Sequence, residues 1–188
     1  MFPIFEEDVV ARLTKSAERK DPSALLKLAL HHGYGDLGLP VDQAKCTDLL
    51  RESAGLGHPG AQYQLGNFYK FGEMGLEQND AEALKYWEKA AEGGHIAALH
   101  NLGCAEGRNG DYVAAMRHFR LAASGGRRES IATLIAFFEN GLLHHGDLAE
   151  ALQAFYLATS EIRSENRSQA TVTSRCIRRS LPIAFEGM

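Results

Sequence analysis

The sequence lacks the long apolar run and the leader that would place a protein in or across a membrane. No stretch approaches the roughly 18 apolar residues of a membrane-spanning helix. The N-terminus, MFPIFEEDVVARL, is acidic and amphipathic, whereas a secretory signal is basic and then uniformly apolar. We therefore expect no membrane association and an intracellular, cytoplasmic location.

Positive charge is not in excess, and cysteine is scarce. The 188 residues carry 20 lysines and arginines against 24 acidic residues, a net charge of -4, so nothing attracts the chain as a whole to phosphate backbones. Its three cysteines, Cys46, Cys104 and Cys176, are far apart and form no C-x-x-C pair, which argues against a disulfide framework and a cysteine zinc site. We expect reduced, buried thiols and no nucleic-acid partner.

Catalytic and metal-binding motifs are also missing. The sequence contains no G-x-S-x-G, no Walker loop and no H-E-x-x-H. Adjacent histidines occur at 31–32 and 144–145, but neighbours on a helix point about 100° apart and cannot easily share one ion. We expect these histidines at solvated helix ends. The predictions are no metal, no cofactor and no enzymatic activity.

What the sequence does contain is an internal repeat of 37 residues. Residues 22–58 align with 59–95 without a gap and share ten identical positions. A third copy, 96–127, keeps the same register and then loses five residues in its inner loop, where deletions are best tolerated. A fourth copy, 128–162, is more divergent. Fixed-period similarity of this kind is typical of a repeat array.

The two ends of the chain depart from this period. Residues 1–21 resemble the second helix of a repeat whose first helix is missing. The segment 163–188 contains five arginines among serines and threonines, and we expect a flexible basic tail. The alternatives for it are a docking peptide for an acidic partner, a phosphorylated segment, or a cover over the last repeat.

Each full unit is predicted to form two helices. In the second copy, apolar residues recur at helical spacing from Ala61 to Tyr69, and Asn79 offers capping chemistry before a second apolar run. The loop between the two runs carries glycines, which permit unusual backbone angles, and the pair Gly93-Gly94 is typical of a helix end. The fold class is therefore all-α.

The segment AQYQLGNFYKFGEMGLEQNDAEALKYWEKAAEGGH resembles a Sel1-like repeat, whose pattern is A-x-x-x-L-G-x-x-Y, then G-x-G, then D-x-x-K/E-A-x-x-W/Y-x-x-A-A-x-x-G. The resemblance implies a right-handed superhelical solenoid of helix-turn-helix units, similar to tetratricopeptide repeats. Ala29 and Ile135 replace the first-helix glycine, and Leu50 and Phe155 replace the tryptophan. The positions that the resemblance implies to serve helix packing and turns are Leu65, Gly66, Gly72, Gly75, Trp87, Ala90, Ala91, Gly94, Leu102, Gly103, Phe119, Ala122 and Ala123.

The same resemblance implies an adaptor function. Members of the Sel1-like family act in signalling and in protein quality control, so we expect a non-catalytic scaffold that binds a protein or peptide in a concave groove. Helical geometry groups Tyr63, Asn67 and Lys70 on the side of the first helix away from its core, and His100 is the third-copy equivalent of Tyr63. We predict these four residues as the groove. The alternative is a regulatory or substrate-recruiting fragment of a larger protein, such as a ubiquitin-ligase component.

The N-terminal half-repeat predicts an uncovered apolar face. Phe5, Val9, Leu13 and Ala17 recur every four residues, as on one side of a helix. In a complete unit this side would also pack on a preceding helix. We therefore expect self-association through it, or a longer natural chain that covers it.

Overall fold

The structure is entirely helical over the residues it describes. This computed structural model describes residues 3–160, with side chains from Glu6 onward, and over that range nine helices are joined by turns without any strand. The chain divides into two compact units, residues 1–122 and 123–188. The predicted all-α fold is confirmed. The predicted basic tail, 163–188, lies outside the described residues.

The helices follow one another in pairs that match the repeat register. The pairs α2 and α3, α4 and α5, α6 and α7, and α8 and α9 fall within the residue ranges predicted for the four copies, and α1 is the single helix before them. Their bounds are α1 Pro3–Glu18, α2 Pro22–Tyr34, α3 Gln43–Gly55, α4 Pro59–Phe71, α5 Asp80–Glu92, α6 Ile96–Arg108, α7 Tyr112–Ser124, α8 Arg128–Glu139, and α9 over 145–160.

The loops inside the first two repeats have the same backbone geometry. The first helix of each ends before a glycine in the left-handed region, Gly35 with φ 75° and Gly72 with φ 68°. Three residues later a second glycine does the same, Gly38 with φ 73° and Gly75 with φ 75°. Side chains are strained at these angles, so the turn explains why both copies carry glycine at these places.

The second helix of each of these repeats begins at a side-chain cap. Asp42 Oδ1 accepts a hydrogen bond from the backbone nitrogen of Lys45 at 2.9 Å, and Asn79 Oδ1 accepts one from that of Glu82 at 3.1 Å. Each cap satisfies a backbone donor that a helix leaves unpaired in its first turn. The turn and cap of the second repeat therefore reproduce those of the first.

The core of the unit over residues 1–122 lies between successive helix pairs. One cluster joins α1 to α2, a second joins α2, α3 and α4, and a third joins α5 to α6. Each repeat thus buries its apolar face against the next, as solenoid units do. The buried residues of the three clusters are Ala17, Ala24, Leu25 and Leu28; then Ala29, Cys46, Leu50, Ala54, Ala61, Leu65 and Phe68; then Trp87, Ala90, Ala98 and Leu102.

On α1 the predicted apolar side is only partly covered. Ala17 is buried and Leu13 is half-buried against α2, whereas Val9 is 37% exposed. The side chain of Phe5 lies outside the described residues. Among the described side chains, coverage of this face is therefore greatest towards the C-terminal end of the helix.

A glycine and an aromatic ring bring the two helices of the second and third repeats close together. A Cβ atom added at Gly66 would lie 2.4 Å from Trp87 Cδ1, and one at Gly103 would lie 2.9 Å from Phe119 Cε1. Carbon atoms in contact are normally about 3.5–4.0 Å apart. Any side chain at either glycine would therefore push the helices apart.

The first repeat packs its two helices together with a different pair of residues at these two positions. Ala29 and Leu50 stand at the glycine and aromatic positions, and both are fully buried. An added methyl group on the first helix is thus matched by a smaller side chain on the second. The two departures from the Sel1 pattern in this repeat are complementary.

The described part of the second unit is built on α8 and α9. Ile135, at the glycine position of α8, is exposed, and Phe155, at the aromatic position of α9, is only half-buried. The close glycine-aromatic contact of the second and third repeats is therefore not reproduced in this described part. The buried apolar residues of this described part are Ala123, Ile131, Leu134, Leu143, Leu148 and Ala151.

Candidate functional site

The four residues predicted to contact a partner are all half-buried. Tyr63, Asn67 and Lys70 lie on α4, and His100 lies on α6. Helical geometry alone placed the three α4 residues on the side of that helix away from its core. Other helices of the unit come within contact distance there, and each of the four residues has an intramolecular partner. Their role in binding a partner stays a prediction.

Tyr63 packs between two repeats. Its ring stacks on the imidazole of His95, with the ring centroids 4.3 Å apart and an angle of 24° between the planes. His95 is the residue from which α6 begins, and Tyr63 also borders the apolar cluster that contains Trp87. The contact therefore joins α4 to the start of the third repeat.

Asn67 holds the tryptophan of the second repeat. Its Oδ1 atom accepts a hydrogen bond from Trp87 Nε1 at 3.1 Å and another from Asn101 Nδ2 at 3.3 Å. An indole nitrogen can only donate, so this pairing determines which side-chain atom of Asn67 faces Trp87. Asn67 thus satisfies a nearly buried donor and connects α4, α5 and α6.

Lys70 lies in a polar cleft. Its Nζ atom is 3.0 Å from both carboxylate oxygens of Asp80, the first residue of α5. The hydrogen bond from Lys70 is the main reason that the pKa of Asp80 lies below its usual value, with a smaller contribution from the charge of Arg108. The cleft has a volume of about 190 Å³ and is lined by Lys70, Asp80, Leu84, Trp87, Ala105, Arg108 and Asn109.

His100 contacts the aromatic residue of its own repeat. Its ring is tilted by 55° against Phe119 with the centroids 5.4 Å apart, and its Nε2 atom is 3.6 Å from Cys104 Sγ. Each of the four predicted residues therefore contacts a residue outside its own helix. Among them, Lys70 is the residue that lines the cleft.

Three residues of this region were missed by sequence reasoning. Asp80, Asn101 and Arg108 all contact or surround the predicted residues, yet each looked like an ordinary polar residue of a helix. The 37-residue register holds a signal for the cleft, because Ala105 stands where the second repeat has the large residue Phe68. A small residue at a core position leaves space beside it.

The residues implied to be structural occupy packing and turn positions. Most of them are buried, Ala91 is half-buried, and three glycines sit in turns with positive φ. The buried members are Leu65, Gly66, Trp87, Ala90, Leu102, Gly103, Phe119, Ala122 and Ala123, and the turn glycines are Gly72, Gly75 and Gly94.

One of the histidines predicted to lie at a solvated helix end is buried. His32 was expected at a solvated helix end but is 5% exposed, and its burial lowers its pKa. His58 lies at the start of α4, where its Nδ1 atom accepts hydrogen bonds from the backbone nitrogens of Gly60 and Ala61. Over residues 3–160 no group of three His, Cys, Asp or Glu side chains could hold a metal ion.

Two of the three cysteines, Cys46 and Cys104, lie in the described part, and neither forms a disulfide bond there. Cys46 is buried, which raises its pKa to about 11, so it remains a protonated and unreactive thiol near neutral pH. Cys104 is half-buried beside His100. Cys176 lies outside the described residues.

Several solved structures are similar to this chain, and they include the following two. A protective antigen of uropathogenic Escherichia coli that displays an SLR fold is 26% identical with a TM-score of 0.67, and a Sel1 repeat protein from Oxalobacter formigenes is 24% identical with a TM-score of 0.68. Each match covers 81% of this chain, which spans 33% and 63% of those two chains. No curated protein gave a significant match.

None of the helices in the described range combines the length and hydropathy needed to cross a lipid bilayer.

The family model of the Sel1 repeat matches residues 22–58, 59–95 and 96–126, which together are more than half of the chain. The register, the glycine-aromatic packing and this match agree, and the chain belongs to the Sel1 repeat family of helical solenoids, whose members generally serve as scaffolds for protein-protein interaction.

Proposed function

We propose that this chain is a non-catalytic scaffold that binds a protein or peptide along the first helices of its repeats. The observation that supports this is a row of large, exposed side chains at one register position. Tyr34, Phe71 and Arg108 are the last residues of α2, α4 and α6, and Tyr34 and Phe71 are 56% and 66% exposed. We call these three residues the first-helix edge.

An exposed aromatic residue that recurs from one repeat to the next needs an explanation. Aromatic side chains expose a large apolar area to water, and clusters of them mark interaction sites more often than ordinary surface does. Neither Tyr34 nor Phe71 belongs to the buried clusters of this unit, so core packing gives no reason for them. Binding of a partner along the edge supplies one.

The four residues predicted from the sequence take different parts in this proposal. Lys70 directly precedes Phe71 and borders the first-helix edge, so it can contact a partner. Tyr63, Asn67 and His100 are engaged within the chain, and we propose that they hold α4 and α6 in position beneath the bound partner. Their substitution would then weaken binding only through changes in the fold.

Affinity capture from a native lysate tests the proposal. Phe71→Ser should abolish most of the captured protein while leaving the melting temperature nearly unchanged, because exposed substitutions alter stability by about 0.5 kcal/mol or less. Val113→Ser on α7 is the matched control, since Val113 is equally exposed on a second helix. Equal capture by the Phe71 variant and the native chain would contradict the binding surface, and turnover of a small molecule by the purified chain would contradict the non-catalytic scaffold.

Self-association through α1 is a second proposal, and the exposure of Val9 favours it. Light scattering of the 188-residue chain at rising concentration should then show dimers or larger species, which Val9→Lys reduces because it places a charge on the apolar face. A monomer at all concentrations would contradict it.

A further inference from the structure

The cleft beside Lys70 lies where one core position of the register carries a small residue. In the 37-residue register, Ala105 of α6 corresponds to Phe68 of α4. Phe68 is 1% exposed and belongs to the cluster that joins α2, α3 and α4. At the next contact between repeats, Ala105 provides only a methyl group, and a cleft of about 190 Å³ is present there.

The lining of the cleft has more positive than negative charge. Lys70 and Arg108 line it together with one carboxylate, that of Asp80. Lys70 is paired with Asp80 through both carboxylate oxygens, whereas Arg108 is exposed and forms no ion pair with any residue of the described range. A guanidinium group can accept a carboxylate ligand through two parallel hydrogen bonds.

We propose that this cleft binds a carboxylate group of a partner peptide, with Arg108 as the principal contact, Lys70 as the second cation and Trp87 as an apolar wall. The inference rests on the proposed function and deepens it, because Phe71 and Arg108 belong to the first-helix edge. An apolar residue next to the carboxylate in the peptide would lie on Phe71. The carboxylate belongs to an aspartate or glutamate side chain or to the C-terminus of the partner.

Asp80 acts in this site as an internal competitor of the ligand. It neutralises Lys70 in the free protein, and an incoming carboxylate has to share that lysine with it. Removing the negative charge of Asp80 should therefore strengthen binding, and removing the positive charge of Arg108 should weaken it. Misfolding would weaken binding in both cases, so opposite effects of the two variants would distinguish recognition of charge from loss of structure.

Fluorescence of Trp87 can report binding directly, because it is the single tryptophan of the chain and lines the cleft. The probes are three short acetylated peptides, each with one phenylalanine. The first has a glutamate and an amidated C-terminus, the second a glutamine and a free C-terminal carboxylate, and the third a glutamine and an amidated C-terminus. One or both carboxylate peptides should bind at least about tenfold more tightly than the neutral one, and the tighter of the two identifies the source of the carboxylate.

Four variants of the full chain complete the test. Arg108→Gln should weaken binding of the carboxylate peptide about tenfold, and Asp80→Asn should strengthen it a few-fold. Ala105→Phe copies the residue found at the contact of the first two repeats and should abolish binding by filling the cleft, with the melting temperature measured to confirm folding. Arg12→Gln on α1 is the control and should have no effect, because that arginine is remote in sequence and its side chain is largely exposed.

The outcomes separate this inference from the proposed function. Equal binding of the three peptides, absence of binding, or a weakening by Asp80→Asn would overturn the carboxylate site. If Phe71→Ser nevertheless abolished capture of partner proteins, the scaffold function would stand without it. Tight carboxylate binding together with unchanged capture by Phe71→Ser would support the cleft and contradict the first-helix edge.

Discussion

The contact between the first and second repeats and the contact between the second and third use equivalent helices in the same register, yet they present different surfaces. At the first contact Phe68 and Phe71 occupy the positions that Ala105 and Arg108 occupy at the second. One contact therefore has a filled core and an exposed aromatic residue, and the other has an open cleft and an exposed cation. A repeat array can thus vary its surface from one unit to the next by substitution at equivalent helix positions.

Within the helix pairs, the same comparison shows side chains that change together. The second repeat combines a glycine, an asparagine and a tryptophan where the first repeat has an alanine and two leucines. A tryptophan needs both room and a hydrogen-bond acceptor, which the glycine and the asparagine provide. A leucine at the second-helix position needs neither, so apolar side chains suffice on the first helix of the first repeat. The two sets are Gly66, Asn67 and Trp87, and Ala29, Leu30 and Leu50.

The largest expected effect comes from breaking the glycine-tryptophan contact. Gly66→Leu should lower the free energy of unfolding by about 3 kcal/mol, because even a Cβ atom would overlap the indole ring. Urea denaturation measures the change. Gly55→Ala at the end of α3 is the matched control, since a Cβ there would meet nothing within 4 Å, and it should leave stability unchanged or slightly higher. An unchanged stability of Gly66→Leu would show that α4 and α5 are not packed at this glycine.

A smaller loss is expected from removing the partner of the indole. Asn67→Ala should cost about 1–3 kcal/mol, because it leaves the nearly buried N–H of Trp87 without an acceptor. Combining it with Trp87→Phe should cost less than the sum of the two single changes, since phenylalanine has no donor to satisfy. A double-mutant cycle by chemical denaturation measures this coupling, and additive losses would mean that the hydrogen bond contributes nothing.

The two helix caps should be equivalent, because the first two repeats share their loop geometry. Asp42→Ala and Asn79→Ala should each lower the free energy of unfolding by about 1 kcal/mol. Thermal or urea unfolding of both variants is the measurement. A cap that matters in one repeat and not in the other would show that the shared turn does not position the second helix in the same way.

The smallest expected effect is on the pH dependence of stability. It arises from His32, which titrates in this pH range, whereas the equivalent residue of the second repeat is Tyr69. Burial is the main cause that lowers the pKa of His32 below its usual 6.5, so the folded chain disfavours the protonated ring. The unfolded chain therefore takes up a proton at this histidine at a higher pH than the folded chain does. The free energy of unfolding is unaffected by His32 above about pH 6.5, and it decreases as the pH falls from there through the folded-state pKa. Urea midpoints between pH 8 and pH 5 should decline less steeply in His32→Gln. An identical decline in both proteins would exclude this histidine as a cause.

Much of the fold could be read from local patterns along the chain. The 37-residue period, the loop glycines and the capping residues act between neighbours in sequence, and they predicted the helix pairs and the turns. Gly72 and Gly75 are examples, because their left-handed backbone angles depend only on the loop in which they sit. Such features need no knowledge of distant residues.

The surface properties of the same helices were decided by packing between repeats. Helical geometry placed Tyr63 and Asn67 on the side of α4 away from its core, and the folded unit adds stacking on His95 and hydrogen bonding to Trp87 and Asn101 on that side. Local periodicity tells which residues share a side of one helix and does not tell which other helix will cover that side. The cleft around Arg108 exists for the same reason, because its volume depends on the side chains of three helices that meet only in the folded chain.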